Sequence, residues 1–320
     1  MLGRTTRMAT LALLALPVLG GAGCAVKKTT RLSPQQIRPL LSATLEELLL
    51  KLQQQAAAVH SLNAVTELVP STGSAYSGVI EQYRDVRAFV LAQRSVNPSD
   101  NSHPRRWRGQ QIRMIGQAPI VRKKIFDMVA DDHSFRIHLP TKHKFIVGPT
   151  TLTRRSDKPM ENLRPQHLLE ALFPAAPLAG ALHLLEENEF SGRRYYAVSE
   201  VVHEAGEDGR LARKWWFDRT DLALVRVQRF GPSGRLLADI HYARWQDAGG
   251  VPYPRTIELI RPHDDYRLKL LIKELTLNEP LAPEKFHLEK PAGAELVELK
   301  EKDQTDNSAA TPATGQEDGR

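Results

Sequence analysis

The chain has 320 residues, 41% hydrophobic and 25% charged, a balance that describes a folded molecule of one large domain or two small ones and excludes a disordered or collagen-like chain. A single cysteine excludes a disulfide framework and a thiolate metal centre. The formal charge of +7 suits an anionic lipid surface.

The N-terminal segment reads as an export signal. Met1 to Arg7 carries two arginines and no acid, Met8 to Gly20 is almost wholly apolar, and Gly21, Ala22 and Gly23 lead with small side chains into Cys24. About 13 apolar residues cover roughly 20 Å as a helix, short of the ~30 Å of hydrocarbon that a spanning helix must cross. Residues 1–23 are therefore expected to be removed. The new N-terminal Cys24 resembles the acylation site of bacterial lipoproteins, and Ala25 to Arg31 follows as a polar tether within residues 24–32. Several acyl chains would hold the protein firmly, because one alone binds a bilayer only marginally.

From Ser33 and Pro34, read as N-cap and first-turn residues, Leu41, Leu45, Leu48, Leu49, Leu52, Ala56 and Val59 recur at three- and four-residue spacing. The pattern predicts an amphipathic helix of about 25 residues with a wide apolar stripe. After His60 the period becomes two. Leu62, Ala64, Thr66 and Leu68 begin it; Phe135, Ile137 and Leu139, then Phe145 and Val147, then Tyr266, Leu268, Leu270 and Ile272 continue it. Turn signals at Pro140-Thr141-Lys142, Gly231-Pro232-Ser233-Gly234, Gly249-Gly250 and Pro262 to Asp265 separate the runs and favour antiparallel neighbours. Leu163 to Leu172, with Pro165 near its start, predicts a second helix, which the apolar Ala175 to Leu185 prolongs. Residues 300–320 are too polar to order themselves, which leaves 33–299 as the folding domain.

No sequence signature of catalysis is present: there is no nucleophile elbow, phosphate-binding loop, zinc-protease motif or dinucleotide fingerprint. His133, His138 and His143 alternate faces at five-residue spacing in a strand and read as surface histidines. Asp131-Asp132 and Asp264-Asp265 read as turn caps. Arg105, Arg106, Arg108, Arg113, Arg122, Lys123 and Lys124, with Trp107 among them, form an acid-free basic stretch that reads as a solvated or lipid-facing edge. The reading is of a non-enzymatic protein with no cofactor, no metal and no nucleic-acid partner.

Met128-Val-Ala-Asp-Asp-His-Ser-Phe135-Arg-Ile-His-Leu-Pro140, followed by Lys144-Phe-Ile-Val-Gly148, resembles a hairpin of the LolA/LolB-like family of outer-membrane lipoprotein-sorting domains. Trp216-Phe-Asp218, Leu224-Val-Arg-Val227, Gly234, Tyr242, Val251-Pro-Tyr-Pro254, Leu277-Asn278-Glu-Pro-Leu281, Phe286 and Pro291-Ala-Gly293 follow the order and spacing of the same family. The resemblance implies an α+β fold: a strongly curved antiparallel sheet, an unclosed β-barrel, with helices forming a lid over its concave face. It implies a lipid-anchored protein of the outer membrane facing the periplasm, with acyl chains of lipoproteins or lipids as ligand and a periplasmic carrier or envelope protein as partner. The alternative is a regulatory or scaffolding module on the same fold. Phe126, Met128, Phe135, Ile137, Phe145, Trp216, Tyr242, Ile257, Leu259, Leu268, Leu270 and Ile272 are the expected ligand wall. Acceptors of this family carry an exposed leucine on a loop between early strands, whereas Pro70 to Ser74 and Asn97 to Ser102, read as the early loops, contain none.

Overall fold

The computed structural model describes residues 39–74, 79–94, 109–152, 156, 162–203 and 208–300. Cys24, Ser33, Pro34, Arg105 to Arg108, the Asn97 to Ser102 segment and the C-terminal tail lie outside these residues. Among the described residues no helix is long and apolar enough to cross a membrane.

Helix α1 spans Leu45–Ala58. Its start is set by a capping box: the Thr44 hydroxyl accepts from Glu47 N at 3.3 Å, and Glu47 Oε2 accepts from Thr44 N at 2.8 Å. This corrects the predicted 25-residue helix, because residues 39–44 are not helical and two orphan amides are satisfied only at Thr44. Leu48, Leu52 and Ala56 form its buried stripe.

The strands follow as β1 (Ser61–Ser74), β2 (Val79–Gln82), β3 (Val86–Gln93), β4 (Gln111–Gln117), β5 (Lys124–Ala130), β6 (Ser134–Leu139) and β7 (Lys144–Pro149). After helix α2 (Pro165–Leu172) come β8 (Leu182–Phe190), β9 (Arg193–Val202), β10 (Arg210–Asp218), β11 (Leu224–Phe230), β12 (Leu236–Asp247), β13 (Pro252–Arg261), β14 (Tyr266–Leu277) and β15 (Glu295–Glu298). The predicted prolongation of α2 is not present. Phe173 closes the helix, Gly180 takes a φ of +79° that a continuing helix could not, and Leu182 already belongs to β8. The Pro70 to Ser74 segment is likewise strand rather than loop, paired with both β14 and β2.

All strands join one sheet in the order β15-β7-β6-β5-β4-β3-β1-β14-β13-β12-β11-β10-β9-β8, with β2 added to β1. Every pairing is antiparallel except that of β15 with β7. The central contact, β1 with β14, joins the two halves of the chain and sets Leu68 opposite Leu270 and Thr66 opposite Ile272.

The sheet is unclosed and strongly curved, as the position of α2 requires. Five strand intervals separate β5 from β13, about 24 Å on a flat sheet. Eight residues of helix are only about 12 Å long, yet α2 packs on both strands. The sheet therefore wraps around the helix. Small side chains on its inner face, Ala64, Ala88, Ala92 and Gly116, leave room for this. At Gly116 the fit is tight: an added Cβ would stand 2.2 Å from the Phe126 ring, which lies across the glycine from β5.

Candidate functional site: the concave face and its two helices

Register assigns each predicted wall residue to a face. Met128 stands opposite Ile137 and Met114; Tyr242 is opposite Ile257, which is opposite Leu270; Leu259 is opposite Leu268. Met128, Phe135, Tyr242, Ile257, Leu259, Leu268, Leu270 and Ile272 belong to one continuous cluster with Leu48 and Leu52 of α1 and Leu168, Leu169 and Leu172 of α2. Phe126 and Ile137 pack against that cluster and stay partly exposed at its rim.

Phe145 and Trp216 are not on this face. Phe145 pairs with His138, which in turn opposes Asp127, while its neighbour Ile146 takes the inner position opposite Ile137. Trp216 lies between Trp215 and Phe217, both buried in the core, and so points the other way. Its Nε1 donates to Gln228 at 2.9 Å, and the Lys214 and Arg226 cations stand 5.5 and 5.6 Å from its ring. Both residues stabilise the convex surface.

The inner face is filled. No wall residue of the central cluster is more than 6% exposed. The concave face is therefore occupied by the protein's own helices, and a ligand there would have to displace one of them. Which helix can leave follows from how each is held.

Polar contacts fix α2 along its whole length. The Tyr242 hydroxyl donates to Ala171 O at 3.0 Å, and the Tyr253 hydroxyl donates to Leu172 O at 2.8 Å. His167 Nδ1 and the Tyr266 hydroxyl share a hydrogen bond of 2.6 Å, Gln166 Nε2 donates to Thr150 O at 2.7 Å, and Glu170 pairs with Arg229. The Arg164 guanidinium stands 6.0 Å from the Phe135 ring. Burial holds His167 well below the usual histidine range, assisted by the charges of Arg261, Arg164 and Arg229. Burial likewise lowers Arg229 to about 10, with Arg261 adding repulsion. Burial raises the Tyr266 hydroxyl, so it stays protonated at neutral pH.

Helix α1 is held differently. Leu48 and Leu52 face the cluster, Ala56 is buried on the same stripe, Leu45 and Leu49 flank them, and the polar tie at its C-terminal end is Asn278 Nδ2 donating to Ala58 O at 2.8 Å. Apart from that tie, its attachment to the sheet among the described residues is apolar contact, which has no preferred direction and can be exchanged for other apolar contact.

Beside the rim lies a feature that the sequence reading missed. The β4–β5 hairpin carries Ile120 and Val121 at its tip, 92% and 73% exposed, followed by Arg122, Lys123 and Lys124. Val79, Ile80 and Tyr83, also exposed, lie on the chain leading into β3, next to β4 in the sheet and at the same end. The two segments read as the early loops contain no leucine, and the exposed apolar pair stands instead on the β4–β5 hairpin. The basic residues around Ile120 and Val121 masked the pair, although two adjacent β-branched residues after Pro119 were a visible signal.

The histidines and acids behave as turn and surface groups. Among the described residues no three His, Cys, Asp or Glu converge to hold a metal ion. Asp131 Oδ1 accepts from His133 N and Ser134 N, both at 2.8 Å, and Asp132 Oδ1 accepts from Gln110 N at 3.0 Å.

No protein-family model matches the chain, and no curated protein matches it. Solved structures do. A DUF1329 family protein from Desulfovibrio piger superposes with a TM-score of 0.50 at 12% identity, over 75% of this chain and 94% of that one. This chain shares its fold. An outer-membrane lipoprotein-sorting protein domain from Vibrio parahaemolyticus gives 0.49 at 12% identity, over 75% of this chain and 94% of that one. A LolA superfamily protein from Nitrosomonas europaea gives 0.45 at 13%, over 77% of this chain and 99% of that one. The unclosed curved sheet with helices against its inner face is the architecture that the sequence resemblance implied.

Proposed function

We propose that this protein is a lipid-anchored envelope protein facing the periplasm, attached through acylated Cys24, that holds acyl chains of lipoproteins or other amphiphiles against its concave sheet. The wall is Phe126, Met128, Ile137, Ile257, Leu259, Leu268, Leu270 and Ile272, and α1 is the lid that yields. The observation that carries this reading is the contrast between the two helices: α2 is fixed by side-chain hydrogen bonds and an ion pair, whereas α1 covers the inner face by apolar contact.

Magnitudes favour exchange. Leu48, Leu52, Ala56 and Val59 together gain roughly 6–9 kcal/mol from burial, whereas an acyl chain of about sixteen carbons gains about 0.8 kcal/mol per methylene, or ~12 kcal/mol gross. A chain can therefore replace the lid's contacts, the more easily if the lid's own stripe finds cover at a membrane. No catalytic step belongs to this reading. The tip at Ile120 and Val121, with Arg122, Lys123 and Lys124 behind it, fits a bilayer interface: apolar residues enter the acyl boundary while the cations meet anionic headgroups. From Val121 to Phe126 at the rim is at most about 17 Å of extended chain. A ligand leaving the bilayer at the tip thus meets the wall at once.

The test uses the chain with Cys24→Ser, so that its own anchor does not compete. Acyl lipid should co-purify in detergent-free buffer, and an environment-sensitive fluorescent fatty acid should bind saturably. Leu270→Glu at the wall centre and Ile137→Glu at the partly exposed rim should each weaken uptake by at least about tenfold, because a carboxylate facing hydrocarbon costs more than 1.4 kcal/mol. Wild-type protein with neither co-purified lipid nor saturable uptake would end the reading, and Ile137→Glu keeps the test valid should Leu270→Glu not fold.

A further inference from the structure

Polar contacts fix the chain on both sides of helix α1, and the two sets are built differently. After the helix, Asn278 pins the chain twice: its Nδ2 donates to Ala58 O at 2.8 Å, and its Oδ1 accepts from His60 N at 3.0 Å. The backbone of Asn278 has a φ of +63°, which asparagine tolerates better than most residues. Its N donates to Ser61 O at 3.0 Å, and the Ser61 hydroxyl donates to Glu279 O at 2.7 Å. These bonds lie where β1 and β14 pair at the centre of the sheet, so this end of α1 is joined to the rigid frame.

Before the helix, Leu41 meets Arg219 in the turn that follows β10. Leu41 N donates to Arg219 O at 2.7 Å, and Arg219 Nε donates to Leu41 O at 3.3 Å. The guanidinium is set in advance: its Nη1 donates to Glu187 Oε2 at 2.7 Å, and it stands 4.5 Å from the centre of the Tyr196 ring. The turn is itself tied, with Thr220 N and Oγ1 donating to Asp218 Oδ1 at 2.9 and 2.7 Å. Arg219 is thus a fixed half of a clasp. The other half is not fixed by burial, because Leu40 and Leu41 are 40% and 41% exposed. Separating Leu41 from Arg219 breaks two hydrogen bonds and leaves every strand pairing intact.

We propose that α1 opens as a flap, releasing at the Leu41–Arg219 clasp and pivoting at its C-terminal end, where Asn278 is the hinge pin. The inference rests on the reading of α1 as the lid and adds which end moves and which residues hold it. Hinges are commonly a few residues at the end of an element, and here Ala58 to His60 join the helix to β1. At 1.5 Å per residue, Leu48 lies about 15 Å from Ala58 and Ala56 only about 3 Å. A rotation about that end therefore lifts Leu48 far more than Ala56 and uncovers the inner face from the clasp side first. The end set free is the one that continues toward Cys24.

The test follows the rate at which the Cys24→Ser chain takes up an environment-sensitive fluorescent fatty acid after rapid mixing. Arg219→Ala removes the side-chain half of the clasp and should speed uptake about threefold or more. Leu41→Cys combined with Arg219→Cys makes a reversible lock, since residues joined by a backbone hydrogen bond lie about 5–6 Å apart at Cα, within disulfide reach. Oxidised, this variant should take up the probe at least about tenfold more slowly than when reduced. A residue that merely stabilised the fold would not give opposite effects on release and on locking. Amide exchange without ligand separates the flap from the lid reading: Arg219→Ala should raise exchange most around Leu48 and least at Ala56. Absence of uptake by the parent chain would end the lid reading and leave that gradient to decide the flap. Unchanged uptake in Arg219→Ala, equal rates in the oxidised and reduced lock, or exchange that rises more at Ala56 than at Leu48 overturns the proposal.

Discussion

His167 is a histidine that the fold keeps neutral, and its consequence is a measurable pH dependence. Burial is the main cause, and the facing charges of Arg261, Arg164 and Arg229 add to it. In the unfolded chain the ring takes up a proton near pH 6.5, whereas in the folded chain it does so only at much lower pH. Its contribution is therefore complete above pH 6.5 and declines as the pH falls below that value, by about 1.4 kcal/mol per pH unit. Urea unfolding at pH 7.5 and 5.5 should show the loss, and His167→Gln should flatten the dependence; an unchanged slope in the variant would contradict the assignment. Asp127 acts in a separate, more acid window. Burial pushes its carboxyl up, but the bonds from Arg113 and Lys124 outweigh it and hold the group below the usual carboxylate range, so its contribution is present above about pH 4 and is lost only below. Tyr242 and Tyr253 can be tested by size alone. Replacing either with phenylalanine leaves a buried α2 carbonyl without its donor and should lower stability by about 1–3 kcal/mol. The pair should be less than additive because both act on the same turn.

The two helices differ in how much of them the sequence discloses. The stripe of α1 is visible in Leu48, Leu52 and Ala56, but Ser33-Pro34 offers as good a start as Thr44, and a helix is periodic from either. Thr44 followed by Glu47 was the sharper signal, because a capping box satisfies backbone donors that no periodicity supplies. Beyond α2, a run such as Leu182-His-Leu-Leu is apolar enough for helix or strand, and only pairing with β9 decides between them. The attachment of α1 yields two predictions. Leu48→Ala, at a residue 1% exposed, should lower stability by about 2–5 kcal/mol in denaturant unfolding. Thr44→Ala should lower it by about 1 kcal/mol and should raise fatty-acid uptake, because a frayed lid leaves more readily. Unchanged or weaker uptake in Thr44→Ala would argue that α1 does not gate the inner face.

For the whole molecule, the sheet's existence was legible from alternation and turns, and its curvature was not. Alternation shows that Phe135 and Phe145 each leave one face of a strand, but not which face is the inner one. That depends on the register of β6 with β7, and it puts Phe135 inside and Phe145 outside. Trp216 alternates correctly with Trp215 and Phe217, yet the inner positions belong to its neighbours. The filling of the concave face was hidden for a related reason: α2 enters the curve through Tyr242, Tyr253 and Tyr266, residues far from it in sequence whose hydroxyls have no local partner pattern. The inner-face placement of Tyr242, Ile257, Leu259, Leu268, Leu270 and Ile272 was predictable because three long antiparallel strands with short turns leave little freedom of register. On the function proposed above, the bent sheet, the helix α2 fixed by hydrogen bonds and the helix α1 held mainly by apolar contact form a closed site that opens to bind.

The most direct test of that claim is amide hydrogen exchange of the Cys24→Ser chain with and without a saturating fatty acid. Peptides covering Leu45–Ala58 should lose protection when the ligand binds, while those covering Pro165–Leu172 keep theirs. Saturable binding with α1 fully protected, or with α2 opening in its place, would contradict the account.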